Sequence, residues 1–316
     1  MSRIYEALRQ SELDTRQGIA TPPLEVFHEP SAEEFPPPGE PPAAVASSPS
    51  GQETPAGKAE PAVLNAAELA VFPPEITTGG HLVSLLDERG LGAEKFRVLA
   101  MRLANLRRNS PLKSVQVTSS IVGEGKTLIS CNLAVTLAKR SGQTVLLIEG
   151  DLRKPAVCTL FGLSPMPEGL GEWAQQPEGA PIQPYLRRIA DSSLCLLPAG
   201  SVQHPVALLQ SGRLADLMKQ LGGWFDWVVV DTPPLMPMAD SNLWARLVDG
   251  TLIVIRAGVV SRRALAAAVE SLDGPKLVGL VMNDARDFSH SDYYDRYYLP
   301  ESDRKAETKE SRKAKK

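Results

Sequence analysis

The chain has 316 residues, 43% hydrophobic and 22% charged, with a formal net charge of -3, which allows one large α/β domain plus a less ordered remainder. Such a charge gives no global basic field to hold nucleic acid, so nucleic acid is not an expected partner. Three cysteines, Cys131, Cys158 and Cys195, lie far apart with no CxxC pair; this argues against a zinc site or disulfide framework and reads as buried thiols in a reducing cytosol.

Residues 1–20 begin Met1-Ser2-Arg3-Ile4-Tyr5-Glu6 and contain no secretory apolar core. Ile4, Ala7 and Leu8 fall on one side of a helix too short to stand alone in water, so the segment reads as a docking peptide or a frayed terminus. Residues 21–78 form a Pro/Ala/Glu-rich linker: 13 of the 27 prolines fall between residues 21 and 75, without helical or strand periodicity. Such a stretch buries too little to offset its ordering entropy and is expected to be disordered. Apolar runs such as Val145 to Ile148 fall far short of the ~18 residues that span a bilayer, so the expected location is cytoplasmic, with membrane contact made through a partner.

The domain proper is expected over residues 79–290. From about residue 91, Phe96, Leu99, Leu103 and Leu106 recur at helical spacing, with Arg97, Arg102, Arg107 and Arg108 on other faces, which predicts a helix ahead of the first strand. Six β-rich runs follow, separated by helical stretches: Ser114 to Thr118, Val145 to Ile148, Leu194 to Leu197, Trp227 to Val230, Leu252 to Ile255 and Leu277 to Met282. This alternation predicts a central, mostly parallel sheet flanked by helices. Runs apolar at every position predict strands covered on both faces, and in such sheets ligands bind at the carboxyl ends of the strands.

Three of those strand ends carry chemistry. After Thr118 comes Ser119-Ser120-Ile121-Val122-Gly123-Glu124-Gly125-Lys126-Thr127 and then a helical run, the strand, glycine loop, helix order of a P-loop. Gly123, Glu124, Gly125, Lys126, Thr127 and Leu128 are the expected nucleotide-binding residues: backbone N–H groups and the helix dipole face the phosphates, Lys126 reaches the β- and γ-phosphates, and the Thr127 hydroxyl binds Mg²⁺. Ser120 stands where the usual pattern opens with Gly. After Ile148 come Glu149, Gly150, Asp151, Leu152 and Arg153; acids two apart face the same side of an extended chain, so Glu149 and Asp151 are both expected to look at the phosphate pocket. Asp231 ends the Trp227 to Val230 run, where a Walker B acid holds Mg²⁺.

The P-loop, the strand-end acids with Arg153 and Asp231-Thr232-Pro233-Pro234 together resemble the bacterial tyrosine kinases of polysaccharide export, a P-loop NTPase branch related to the Min and Par ATPases. The likeness extends over about residues 90 to 300, through Arg153-Lys154-Pro155, Glu168-Gly169-Leu170, the stretch from Pro198-Ala199-Gly200 to Leu214, and Gly279-Leu280-Val281-Met282-Asn283. Residues 1 to 8 resemble the soluble members associated with exopolysaccharide and exosortase gene clusters. The resemblance implies an ATP- and Mg²⁺-dependent protein-tyrosine autokinase with Lys126, Glu149, Asp151 and Asp231 in catalysis. Glu149 would be the base that accepts the tyrosine proton; Thr127, Asp151 and Asp231 would be the metal ligands. It also implies an integral membrane polysaccharide chain-length regulator as activator.

Two positions depart from the family pattern. Glu149 stands where the family usually has Asp, which moves the carboxylate by about 1.5 Å. The oligomerisation motif Glu-x-x-Arg-x-x-Arg has Glu94 and Arg97 but Ala100 in third place, with Arg102 close by, which leaves homo-oligomer assembly open.

Of the chain's 6 tyrosines, Tyr293, Tyr294, Tyr297 and Tyr298 crowd into residues 291–316, a segment expected to be a disordered tail and, by the resemblance, the phosphoacceptor cluster. Full phosphorylation would add roughly 6 to 8 negative charges, more than the chain's own. Two alternatives stay open: a Min- or Par-like ATPase without kinase activity, against which Ile121 stands where those proteins place a signature lysine, and a nucleotide-binding regulator of a membrane complex.

Overall fold

The structure is a computed structural model that describes residues 64, 69–74, 82–163, 168–237, 239–272 and 276–285; the N-terminal peptide, most of the expected linker and the tyrosine cluster lie outside them. The strands are β1 (Ala70–Phe72), β2 (Ser114–Ser119), β3 (Val145–Glu149), β4 (Arg187–Ile189), β5 (Leu194–Leu197), β6 (Trp227–Asp231), β7 (Gly250–Arg256) and β8 (Leu277–Asn283). The helices are α1 (Val83–Leu86), α2 (Leu91–Asn109), α3 (Lys126–Ala138), α4 (Val157–Leu160), α5 (Leu170–Gln175), α6 (Pro205–Leu209), α7 (Gly212–Trp224), α8 (Asp240–Leu247) and α9 (Arg262–Glu270).

One sheet carries the strands in the order β1-β4-β5-β3-β6-β2-β7-β8, and every neighbouring pair is parallel except β4 with β5. All six strands read from the sequence are present, each within a residue or two of its expected limits. Strands β2, β3, β5 and β6 are buried at every position, as expected of strands covered on both faces; in β2 that includes the polar Ser114, Gln116, Thr118 and Ser119.

The two short strands were not legible. β4 holds Arg187 and Arg188 within three residues, and β1 has only three residues, too few for a period. β1 also falls inside the stretch expected to be linker, so the folded part begins before residue 79. Its ladder to β4 runs from Ala70↔Arg187 to Phe72↔Ile189, and the Arg187 guanidinium lies 5.9 Å from the Phe72 ring centroid.

On one face, Val115, Val117, Val145, Leu147, Trp227, Val229, Leu252 and Val254 pack with Ile129, Leu133 and Leu137 of α3 and with Ala100 and Leu103 of α2. On the other, α7 covers β6, α8 covers β2, and Leu265 and Ala268 of α9 meet Ile253. α2 forms where its apolar spacing predicts, but its inward face is Ala93, Phe96, Ala100 and Leu103, whereas Leu106 is exposed. Ala100, only 2% exposed, lines a cavity together with Glu88, Arg97, Lys139 and Arg140. Arg107 stacks 4.9 Å over the Trp227 ring and donates to the Asp226 carbonyl.

Leu147 lies in the sheet centre with no solvent exposure, whereas Met282 on edge strand β8 is 64% exposed. Leu147→Ala is expected to lower the unfolding free energy by about 2–5 kcal/mol, and Met282→Ala to change it by less than ~0.5 kcal/mol. Denaturant titration checks both.

Candidate active site

The parallel register aligns the carboxyl ends of the central strands. Val117 of β2 pairs with Asp231 of β6, and Asp231 pairs with Glu149 of β3, so the loop after β2 and the two strand-end acids start side by side. The chain leaves β2 at Ser119, turns through residues 120–125 and enters α3 at Lys126. Both of the turn's glycines are required: Gly123 has φ +88° and Gly125 φ +92°, and a Cβ on Gly125 would overlap the Asn283 amide. That is left-handed backbone, which glycine adopts without steric cost. Ser120 has ordinary backbone, since the non-glycine residues with positive φ among those described are Asp191 and Asp284. A side chain is therefore tolerated there; Ser120 is buried, and its Oγ has no hydrogen-bond partner.

Glu124 is fully buried, and its carboxylate turns into the protein. One oxygen accepts from Ile121 N–H at 2.8 Å and the other from Arg256 N–H at 3.0 Å. Its carbonyl accepts from Asn283 Nδ2 at 2.9 Å. The expected cradle residue is thus a staple that ties the loop to the ends of β7 and β8. Leu128 is half-buried on the first turn of α3, and its carbonyl accepts from Asn132.

The lysine and two of the acids meet. Lys126 Nζ lies 2.9 Å from Asp151 Oδ2 and 3.7 Å from Asp231 Oδ2. Thr127 Oγ1 donates to Asp231 Oδ2 at 2.8 Å. Ser130 Oγ is 3.0 Å from Asp231 Oδ1 and 2.8 Å from the Lys126 carbonyl oxygen, so its one proton serves one of them at a time. Asp151 is fixed further by Lys154 N–H, which donates to Oδ1 at 3.1 Å. Arg153 pairs with buried Asp240 at 2.7 Å, fastening the turn after β3 to α8. Gly150 between the acids is required by space: a Cβ there would lie 2.8 Å from the Asp231 carbonyl oxygen and 2.7 Å from Val230 Cγ1.

Glu149 does not join this group, and the expectation that it looks at the phosphate pocket is corrected. Its Oε1 accepts from Val157 N–H at 2.7 Å, and its Oε2 accepts from Ala199 N–H at 3.1 Å. Cys158 N–H and Sγ stand at 3.4 and 3.7 Å from the two oxygens. Alternation of side chains holds only while the chain stays extended, and β3 ends at Glu149, so Asp151 already lies in the following turn.

Sequence reasoning missed Ser130, Asp240 and the stapling role of Glu124. For Glu124 a signal exists: an acid in an anion-binding loop would repel phosphate unless its carboxylate turned inward.

Burial pushes the Asp231 carboxyl up to about 6, against the pull of Lys126 and of the Thr127 and Ser130 hydroxyls. Between the ordinary carboxylate value and 6 the folded state holds a proton that the unfolded chain has released. Stability therefore falls as pH rises from about 4 through 6, and the full cost applies above that window. In metal-free buffer with EDTA, wild type is expected to lose up to ~3 kcal/mol relative to Asp231→Asn across this window. A stability difference that stays constant with pH would contradict the assignment.

No protein-family model matches the chain. Tyrosine-protein kinase YwqD of Bacillus subtilis is 30% identical over 216 residues, covering 67% of this chain and 90% of that protein. Succinoglycan biosynthesis transport protein ExoP of Rhizobium meliloti is 31% identical over 204 residues, 62% of this chain but 25% of that longer protein. Among solved structures, the chimerical protein CapA2B2 superposes with a TM-score of 0.61 at 25% identity, covering 69% of this chain and 94% of that one. With the parallel sheet, the glycine loop and the lysine between two strand-end acids already in place, these likenesses show that the chain belongs to the bacterial tyrosine-kinase family of P-loop proteins.

Proposed function

We propose that the chain transfers the γ-phosphoryl group of ATP to tyrosines, those of its own C-terminal cluster among them. The observation that carries this reading is the convergence of Lys126 with Asp151 at 2.9 Å and with Asp231 at 3.7 Å, directly after a glycine loop whose N–H groups and helix start suit a polyphosphate. The donors fit Mg²⁺, which takes oxygen ligands, commonly one or two carboxylates plus phosphate oxygens and water; Thr127, Asp151 and Asp231 would hold it. Bound there, Mg²⁺ would neutralise charge on the β- and γ-phosphates.

Transfer is then an in-line displacement. The phenol oxygen bonds to the γ-phosphorus as the bond to the β-phosphate oxygen breaks, ADP leaves with that electron pair, and the proton passes to a carboxylate or to water. Lys126 compensates the shifting negative charge. Because the transition state is loose, positioning and charge neutralisation supply most of the rate.

Tyr293, Tyr294, Tyr297 and Tyr298 are the proposed acceptors. Asn283 ends β8 beside the glycine loop. Ten residues separate Asn283 from Tyr293, a reach of at most ~36 Å, which admits transfer within one copy or to a neighbour. The ExoP likeness supports a role in exopolysaccharide biosynthesis. Among the described residues no helix is long and apolar enough to cross a membrane, which fits membrane contact through an integral chain-length regulator, with residues 1–20 as its docking peptide.

Purified full-length protein incubated with MgATP is expected to gain phosphotyrosine, and replacing all four tail tyrosines by Phe to remove most of it. Lys126→Ala should slow transfer by about 10²- to 10³-fold. Equal phosphotyrosine in wild type and Lys126→Ala would sink the proposal.

A further inference from the structure

Glu149 is 3% exposed and both of its oxygens are engaged by backbone N–H groups, Val157 at 2.7 Å on one and Ala199 at 3.1 Å on the other. A general base needs a lone pair within hydrogen-bond reach of the hydroxyl it deprotonates. Cys158 N–H and Sγ stand 3.4 and 3.7 Å from the remaining sides of the two oxygens, so to reach a bound hydroxyl this buried carboxylate would have to turn away from donors that resist being left without partners. Glu149 therefore has the surroundings of a clamp. It joins the end of β3 to the start of α4 and to the segment that follows β5.

That segment, residues 198–204, is pinned from beneath by a second carboxylate. Glu172 on α5 accepts from Ser201 N–H at 2.9 Å and from Gly169 N–H at 2.8 Å. Leu170 N–H and Gly171 N–H donate to the carbonyls of Pro198 and Ala199. A Cβ on Gly169 or Gly171 would overlap the Pro198 or Ser201 backbone, so the contact is backbone against backbone. Its outer side leaves Ser201, Gln203 and His204 exposed.

The strand order gives this loop its meaning. Across β2, β6, β3 and β5 the carboxyl ends present in turn the glycine loop, Asp231, Asp151 and residues 198–204. In that order the loop after β5 is the neighbour of the turn after β3 that carries Asp151.

We infer that residues 198–204 form the wall against which the acceptor tyrosine docks, and that Glu149 acts in the reaction as a positioning residue for that wall and not as the base. The inference rests on the kinase reading above. Glutamate suits the task because an aspartate carboxylate at this place would fall about 1.5 Å short of the Val157 and Ala199 amides. The phenol proton is then left to water, which a loose transition state tolerates.

Rank order separates the roles. A clamp needs reach, so Glu149→Gln, which keeps the length and one acceptor oxygen, should outperform Glu149→Asp; a base needs a carboxylate, so the order would reverse. With the full-length protein, MgATP and a synthetic peptide of residues 288–300 as acceptor, Glu149→Gln is expected to raise the peptide KM roughly tenfold. Glu149→Asp should lose about 10²-fold in kcat/KM for the peptide, with the KM for ATP within about twofold of wild type in both. Gln203→Trp, an exposed change that spares folding, should raise the peptide KM without altering the KM for ATP. Near-wild-type Glu149→Asp beside a Glu149→Gln that has lost its kcat would overturn the inference, as would an unchanged peptide KM in Gln203→Trp. A wild type that phosphorylates no tyrosine at all, on itself or on the peptide, sinks the kinase reading and this one with it.

Discussion

The site is organised around a carboxylate that water does not reach. Asp231 ends β6 in the middle of the sheet with no solvent exposure, and a buried charge is tolerated only where donors replace the lost hydration. Those donors, Lys126, Thr127 and Ser130, come from the first turn or so of one helix. The β2–β6 register places Val117 opposite Asp231, so the chain has the loop of residues 120–125 in which to leave the sheet, reverse and present α3 over that acid. Position of the lysine and position of the acid are thus one constraint. The left-handed residues of the loop are what make so short a reversal feasible.

A loop built to receive anions must also keep its shape while its neighbours carry charge. On the β7–β8 side it is held by Glu124, whose carboxylate bridges Ile121 and Arg256, and by Asn283 on the Glu124 carbonyl. On the other side Lys126 reaches across to Asp151, and Asp151 is fixed in turn by the Lys154 amide. Arg153 on Asp240 and the Trp244 indole on the Gly150 carbonyl keep the turn after β3 from moving away. The glycine loop and the acid turn are each anchored to a different part of the scaffold, which fixes the gap between them.

Much of this architecture was legible because several of the strands that build it are almost wholly apolar, and a run such as Val228-Val229-Val230 admits few readings. Position along the chain likewise singled out the loop, Lys126, Thr127 and Asp231, since each stands at or soon after the end of a buried strand. What escaped was whatever depends on side-chain direction after regular structure stops. Glu149 and Asp151 are two apart, yet one is the last residue of a strand and the other belongs to a turn, so the alternation that made them neighbours on paper no longer applies. β4 escaped for a related reason: Arg187 satisfies itself on nearby carbonyls and the Phe72 ring, an arrangement no periodicity encodes.

The departure from the usual P-loop pattern and the two from the family pattern yield to local geometry. Ser120 replaces a glycine where the backbone is ordinary and a side chain fits. Ala100 replaces an arginine on the face by which the helix meets its neighbours, beside a cavity that already holds Arg97, Lys139 and Arg140. Glu149 replaces an aspartate where the extra methylene lets the carboxylate reach two amides. By contrast, Gly123 and Gly125 need positive φ and Gly150 has no room for a Cβ, and all three are glycine. Burial and partners, more than residue type, then divide the labour among the strand-end acids: Asp231 anchors the start of α3, Asp151 faces the lysine, and Glu149 holds the scaffold on which the rest is built.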